Sequence, residues 1–455
     1  MSFANSPTHL SLGIDFGTTN SSVALAHADG RVDLAAFPIA NGLTESFRSV
    51  LYLEQAKAAG RTRMKSFTGP SAIAEYLNAD GGDHARGRLI QSLKSHLSSR
   101  TLTGTEVFGK RYSLEDLISR MLTDLRLAAE AQFAQPVRHA TVGRPVRFVG
   151  AESDEDEEFA LSRLRAAFTQ AGYETVEFEM EPVAAAHSYE STLDHDELIL
   201  IGDFGGGTSD FSLLRVGPEA KRRRSEGASG LLGNAGLGLA GDAFDARIVR
   251  KLVSPELGAD TYERQASTAG INGPKLIPAV PAWIYANLER WHYLSFLKTR
   301  NVAQILRGAR ARAEEPKKVA ALMTLIEEDL GYQLHQAVER LKVDLSREEH
   351  AIFRFHDGSM EIEAKVTRTD FEGWIAADLA SIESCVDGLL TSSGVAADEV
   401  DRVFLTGGTS FVPAVRRIFT ERFADRTTGT ARVVTGDEFT SVARGLALSG
   451  LQAQG

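Results

Sequence analysis

Two short stretches carry the residue types that handle phosphate. They are Asp15-Phe-Gly-Thr-Thr-Asn-Ser-Ser-Val and Asp203-Phe-Gly-Gly-Gly-Thr-Ser-Asp-Phe, whose aspartates lie 188 residues apart. Each ends an apolar run on an Asp, turns on small and hydroxylated residues, and returns to an apolar run. A glycine-rich turn between two strands points several backbone N–H groups one way and has few Cβ atoms to keep an anion off, so it can cradle phosphate. Two such turns facing one cleft would clamp a polyphosphate from both sides. Asp15 and Asp203 would hold Mg²⁺ there, through waters, because Mg²⁺ dehydrates reluctantly. The hydroxyls of Thr18, Thr19 and Thr208 would add donors. A third glycine turn, Gly407-Gly408, follows an apolar run and precedes a helix, where it could approach a nucleoside closely.

The elements that must position these turns follow from periodicity. Leu10–Asp15, Ser22–Ala26 and Val32–Phe37 read as strands, as do Ala140–Gly143, Leu198–Gly202, Phe211–Val216 and Val400–Thr406. Leu114–Phe133 repeats apolar residues at helical spacing. Leu322–Ser346 reads as one long amphipathic helix, and Asp242–Leu252, Phe371–Leu390, Val412–Arg422 and Val442–Ser449 also read as helical. Ile352–Phe355 and Glu361–Val366 read as a pair around Asp357-Gly358. The acidic run Glu152–Glu158 is expected to be a solvated loop or the first turn of a helix over Phe159–Ala171. The basic quartet Lys221–Arg224 is expected at a hairpin tip. Residues 255–320, with Ile277–Tyr285 and Trp291–Leu297, are proline- and aromatic-rich and read as an insertion that serves either local packing or docking. The repeat divides the chain into two lobes, 1–195 and 196–440, with 255–320 inserted in the second and 441–455 a closing helix and short tail.

Composition excludes other classes. The 455 residues are 43% hydrophobic and 24% charged, an ordinary globular balance. No run of eighteen apolar residues is present, and the start has no secretory pattern. A single cysteine, Cys385, rules out an internal disulfide and fits a reducing cytoplasm. A net charge of −11 argues against broad binding to nucleic acid or an acidic membrane. There is no Walker-type lysine loop. Gly236-Leu-Gly-Leu-Ala-Gly241 matches a dinucleotide fingerprint only in spelling, because Leu231–Ala235 is a poor strand and no βαβ unit brackets it.

Gly13–Val23, Gly202–Asp210, Glu181-Pro-Val-Ala-Ala-Ala and Leu405-Thr-Gly-Gly-Thr-Ser-Phe-Val-Pro together resemble the ATPase domain of the seventy-kilodalton heat-shock chaperones, in the actin-like ATPase superfamily. The short YegD-like branch is the most similar. The resemblance implies an α/β fold of two lobes, each with a ribonuclease H-like mixed sheet flanked by helices and with smaller subdomains, binding ATP or ADP and Mg²⁺. It implies that Asp15 and Asp203 orient the metal and that Gly17, Thr18, Thr19 and Asn20 grip phosphates together with Gly205, Gly206, Gly207 and Thr208. Lys94 would stabilise the departing γ-phosphate, Asp210 would position water or a cation, and Glu181 would stand near that water with Pro145 as its hinge partner. Glu339, Lys342 and Ser346 share one helix face that would meet the adenosine, as would Gly241, Gly407, Gly408 and Thr409.

Three departures are expected to weaken the nucleoside site: Val343 and Phe411 stand where the family has arginines, and Ala240 replaces a glycine. The chain stops at Gly455, which leads to the expectation of an ATPase unit without a peptide-binding domain. The function implied is a slow, Mg²⁺-dependent ATPase acting as a nucleotide-driven, chaperone-like switch for an unidentified protein partner, with 255–320 as the candidate contact. A nucleotide-sensing scaffold with little hydrolysis, a small-molecule kinase using Asp210 and an actin-like filament protein are the alternatives.

Overall fold

The computed structural model describes residues 10–453 except 40–41, 59–60, 79–84, 191, 228–229, 265–275, 291–292, 329, 358–359, 425–431 and 436–437. Trp291 and Gly358, each part of an expected element, lie outside the described residues. The chain forms two compact units. One comprises Met1–Gly238, Cys385–Ser410 and Phe419–Gly455; the other comprises Leu239–Ser384 and Phe411–Ile418.

The first unit holds two mixed sheets of one topology. In the first sheet the order is Thr175–Met180, His139–Arg144, Leu10–Phe16, Asn20–His27, Val32–Leu34. In the second it is Val433–Thr435, Arg402–Thr406, Glu197–Phe204, Ser209–Val216, Leu231–Leu237. In each, a three-stranded antiparallel meander is extended by two parallel strands. The sequence repeat is thus a repeat of whole sheets.

Strand period explains the layering. Leu12, Ile14 and Phe16 point to a core built with the helices Leu114–Phe133 and Asp154–Gln170. Ser11, Gly13 and Asp15 therefore point the other way, where Ala24 and Ala26 meet Ala443 and Ala447 of the helix Glu438–Ala453. In the second sheet Ile199 and Ile201 meet Ala186 of the helix Glu181–Glu190, and Asp203 shares their face. On the opposite face the rings of Phe204 and Phe211 both meet Phe419 of the helix Pro413–Arg422, and Phe423 stacks on Phe419. Each inner helix leaves one sheet and packs on the other. The two inner helices meet so closely that a Cβ at Gly445 would stand 1.7 Å from the Ala184 carbonyl oxygen.

The second unit contains the hairpin His350–Asp357/Met360–Thr367 and the helices Gly241–Ile248, Ala282–Leu288, Arg300–Arg312, Pro316–Glu327 and Gly331–Arg347, among others.

Several sequence expectations are corrected. Val32–Phe37 is not one strand: it breaks after Leu34, where the Gln132 side chain binds the backbone of Ala36 and Leu34, and Phe37 begins a separate hairpin that packs on Phe47. Lys221–Arg224 lies on the helix Pro218–Ser225, not at a hairpin tip. Pro218 suits a first helical position, Asp196 caps the N–H groups of Glu219 and Ala220, and Arg224 pairs with buried Glu190. Leu322–Ser346 is two helices, because the Leu330 N–H turns back to the Leu325 carbonyl (3.0 Å) and closes the first. Leu231–Leu237 is a true edge strand, antiparallel to its neighbour, so the adjoining glycine motif still has no βαβ setting. The acidic run is the first turn of the helix Asp154–Gln170, capped by Ser153.

A methyl at Gly445 is expected to destabilise the fold by about 1–3 kcal/mol, as overpacking does, whereas Gly388→Ala, at an exposed helical site with open space, is expected to be neutral or mildly stabilising. Urea denaturation of the two variants checks this; equal stability would show that the helices part easily.

Candidate functional site

The two Asp-bearing strand ends open into one cavity of about 660 Å³ inside the first unit. Its floor follows from the layering above, since Asp15 and Asp203 are the last inward-facing residues of their strands, just past the inner helices. Register completes the set. Asp203 pairs with Asp210 across the second hairpin, and Asp15 pairs with Ser22 across the first. Parallel pairing of Arg144 with Met180 brings the next residues, Pro145 and Glu181, side by side at the cavity wall.

The first turn is fixed by backbone sterics and one serine. A Cβ at Gly17 would stand 2.2 Å from the Asn20 carbonyl oxygen. The Ser49 hydroxyl donates to the Gly17 carbonyl (2.7 Å), and the Ser49 N–H donates to the Thr19 carbonyl (2.8 Å). The third turn locks onto the second hairpin: Gly407 has φ +83°, and a Cβ there would lie 1.9 Å from the Phe204 carbonyl oxygen. Only glycine fits both demands.

Lys94 is buried on a short 3₁₀ turn, Leu93–His96, and its Nζ donates to Glu181 Oε1 at 2.6 Å. Asp203 Oδ1 accepts from the Thr406 hydroxyl at 2.7 Å. Four carboxylates, of Asp15, Asp203, Asp210 and Glu181, thus share the cavity with the single buried ammonium of Lys94. The electrostatic cost is visible in the protonation. Burial, then the charges of Glu181 and Asp203, push Asp15 up to about 8 despite Lys94. Burial and Asp203 push Asp210 up to about 7, although Thr208 donates to it. Burial also raises Asp203 against the opposing Thr406 bond. Lys94 is raised: burial would lower it, but Glu181 and Asp15 outweigh that.

This donor set fits a hard divalent cation. Its carboxylates offer only oxygen, and they outnumber the cationic side chains that line the cavity, Lys94 and Arg147. Among the described residues no three carboxylate, histidine or cysteine side chains form a metal cage.

The cavity is lined by Asp15, Gly17, Thr18, Thr19, Asn20, Lys94, Glu181, Asp203, Gly205, Thr208, Asp210 and Gly407 from the expected set. Gly206, Gly207, Gly408 and Thr409 are not among its lining residues; Thr409 is buried in the turn after Gly407. Gly241, Glu339, Lys342 and Ser346 belong to the second unit. There Gly241 begins a helix, Glu339 is exposed, Lys342 pairs with Asp245 at 2.7 Å, and the Ser346 hydroxyl donates to the Lys342 carbonyl.

Sequence reasoning missed Ser49 and Thr406. Thr406 stood beside the recognised Gly407-Gly408 pair, whereas Ser49 gave no signal. It also undervalued Gly236, which lines the cavity opposite Asp210 and whose Cβ would stand 2.6 Å from the Asp210 carboxylate.

The family model for Hsp70 proteins matches residues 11–261 and 315–455. The chain belongs to the Hsp70 family. Hsp70 proteins are ATP-binding, chaperone-type ATPases of the actin-like superfamily, which generally bind ATP or ADP with Mg²⁺ and engage client proteins. The two repeated mixed sheets are the α/β architecture of that superfamily. Residues 262–314 lie outside the Hsp70 match. No described helix is long and apolar enough to cross a membrane.

The raised carboxyls predict a pH dependence. A carboxyl with a higher pKa folded than unfolded binds its proton more tightly in the folded state. Its stabilisation is complete below about pH 4 and lost as pH rises through the folded value. For Asp15 that interval runs from 3.8 to about 8. Metal- and nucleotide-free protein is therefore expected to lose thermal stability between about pH 4 and pH 8, with a shallower loss in Asp15→Asn. Identical slopes would remove Asp15 as the source.

Proposed function

We propose that this Hsp70-family chain is an Mg²⁺-dependent ATP-binding protein with slow ATPase activity, working as a nucleotide-driven switch. The observation that carries this reading is the Lys94–Glu181 pair set among Asp15, Asp203 and Asp210 in a cavity walled by the two repeated turns. In this reading the backbone N–H groups of Gly17–Asn20 and Gly205–Thr208 hold the phosphates. Thr208 lies beside the γ-phosphate, and Asp210 and Glu181 orient the attacking water. Lys94 faces the charge that develops as the γ-phosphate leaves. Bound Mg²⁺, held by Asp15 and Asp203 through waters, would neutralise phosphate charge. Such chemistry is mostly positioning and electrostatics.

Gly407, Gly408 and Thr409, which follow the strand Arg402–Thr406, are assigned to the nucleoside. Val343 and Phe411, both exposed apolar side chains of the second unit, offer an adenine no guanidinium to stack on. That favours a second reading, a nucleotide sensor that hydrolyses little.

The test is Asp203→Ala, Thr208→Ala and Lys94→Ala, with ATP affinity measured by calorimetry and turnover by phosphate release. Asp203→Ala is expected to weaken Mg-ATP binding, and Lys94→Ala to slow turnover by about 100-fold with affinity little changed. Unchanged values in all three would reject the site. Wild-type binding with no turnover would select the sensor.

A protein partner is assigned to the 255–320 stretch. Between Arg290 and Ala313 it carries Arg290, Lys298, Arg300, Arg307, Arg310 and Arg312 but no acidic residue, in a chain of net charge −11. Arg300, Arg307 and Arg310 are exposed along one helix, and Leu276 and Trp283 are exposed in the same stretch. Reversing those three arginines to glutamate is expected to abolish partner capture without changing ATP affinity, as read by crosslinking and calorimetry. Capture that survives the reversal would place the partner elsewhere.

A further inference from the structure

The turn that carries Lys94 has little of its own to hold it. Leu93–His96 is a single 3₁₀ turn, and Ser92 before it sits at φ 57°, a left-handed conformation unfavourable for a residue with a Cβ. Leu93 and Leu97 bury their side chains in the core of the first unit, which fixes the turn's depth but not its rotation. The backbone closes on itself, with the N–H groups of Ser95, Leu97 and Ser99 donating to the carbonyls of Ser92, Lys94 and His96, but those bonds include no ties to the neighbouring helices.

One buried side chain supplies them. Arg163, on the helix Asp154–Gln170, is 6% exposed. Its Nη1 donates to the carbonyls of His96 (3.4 Å), Leu97 (3.4 Å) and Ser99 (3.1 Å), and its Nη2 donates to that of Leu102 (3.3 Å). Its Nε donates to Glu115, in the first turn of the helix Leu114–Phe133. The Phe159 ring lies 5.4 Å from the guanidinium carbon. Burial would raise the Glu115 carboxyl, but the Arg163 bond and charge hold it below the ordinary carboxylate range, so Glu115 stays ionised beside the guanidinium.

We infer that Arg163, oriented by Glu115, is the positioning residue that sets Lys94 against Glu181 and the phosphate site. The inference rests on the reading of Lys94 given under Proposed function. Arg163 does not line the cavity, so it acts only through the turn. A misplacement of about 1 Å in a catalytic group can cost on the order of 100-fold in rate. The planar fork of arginine can serve several carbonyls and one carboxylate at once, whereas the point charge of a lysine cannot.

The experiment compares wild type, Arg163→Lys, Glu115→Gln, Lys94→Ala and the double variant Arg163→Lys/Lys94→Ala in the full chain. Single-turnover phosphate release at saturating Mg-ATP, ATP affinity and urea denaturation are measured for each. Arg163→Lys is expected to bind ATP within about 3-fold of wild type and to turn over about tenfold or more slowly. It is expected to add no further loss in the Lys94→Ala background, since the two act in series. Glu115→Gln should change turnover in the same direction by less, and it carries the same comparison if Arg163→Lys does not fold. An equal loss from Arg163→Lys with and without Lys94 would overturn the inference, because the effect would then bypass Lys94. So would normal turnover in Arg163→Lys alongside a slow Lys94→Ala, a result that leaves the Lys94 reading intact. Normal turnover in Lys94→Ala would instead sink that reading, and this inference with it.

Discussion

The cavity exists because two helices approach to backbone contact. Glu181–Glu190 leaves the first sheet and packs on the second; Glu438–Ala453 follows the last strand of the second sheet and packs on the first. Their crossing at Ala184 and Gly445 leaves no room for a side chain at Gly445, and Gly13 allows the second helix an equally close seat on its sheet, with the Ala443 carbonyl oxygen 2.2 Å from the Cβ position. Small residues at these contacts set the spacing between the sheets. The same spacing sets how far Asp15 stands from Asp203 and where Glu181, at the start of its helix, enters between them. A wider crossing would separate the carboxylates. Shape in this unit is therefore fixed by close packing, and charge is placed by the shape.

The charge so placed is unfavourable on its own. Burying carboxylates without full compensation is costly, and Lys94 offsets only part of the cost, mostly at Glu181. The rest shows as carboxyls that hold their protons more tightly: burial and neighbouring carboxylates push Asp15 up to about 8 and Asp210 up to about 7, and burial raises Asp203. Such strain is hard to explain as fold stabilisation, because apolar residues would fill the same space at lower cost. It is intelligible as a site that a bound cation would complete, and the Mg²⁺ that generally accompanies nucleotide in Hsp70 proteins would be such a cation. Perturbed carboxyls gathered in one cavity are a mark of function.

Much of this was legible in the sequence wherever local rules decide. Leu114–Phe133 follows its apolar period to the residue, and both hairpins appear where apolar runs flank small-residue turns. The Asp-and-glycine repeat announced two equivalent sheets, although not their shared strand order, which depends on pairings across more than 120 residues. The failures have local causes too. A helical period ran unbroken through 328–330, where a backward hydrogen bond ends the helix. A basic quartet looked like a turn because its helix start rests on Asp196, more than twenty residues away. The burial of Lys94 could not be derived from its neighbours Ser92, Leu93 and Ser95, because it follows from the packing of Leu93 and Leu97 in the core and from the pairing with Glu181, which is remote in sequence.

The two hairpins are not equal, and the difference bears on how a phosphate chain would lie between them. At the position opposite the cavity Asp, the first hairpin has Ser22, which is buried, and the second has Asp210. The second also borrows Thr406 from a parallel neighbour to hold Asp203, and Gly236 from its edge strand leaves Asp210 the space it occupies. The first turn is instead clamped through its own carbonyls by Ser49. A rigid turn with one carboxylate suits gripping. A turn with two carboxylates, one of them near neutrality at about 7, suits handling a water whose protons must move. On the proposed chemistry the reacting end of the nucleotide therefore belongs at the second hairpin, with Glu181 and Lys94 closing on it from the first sheet's side.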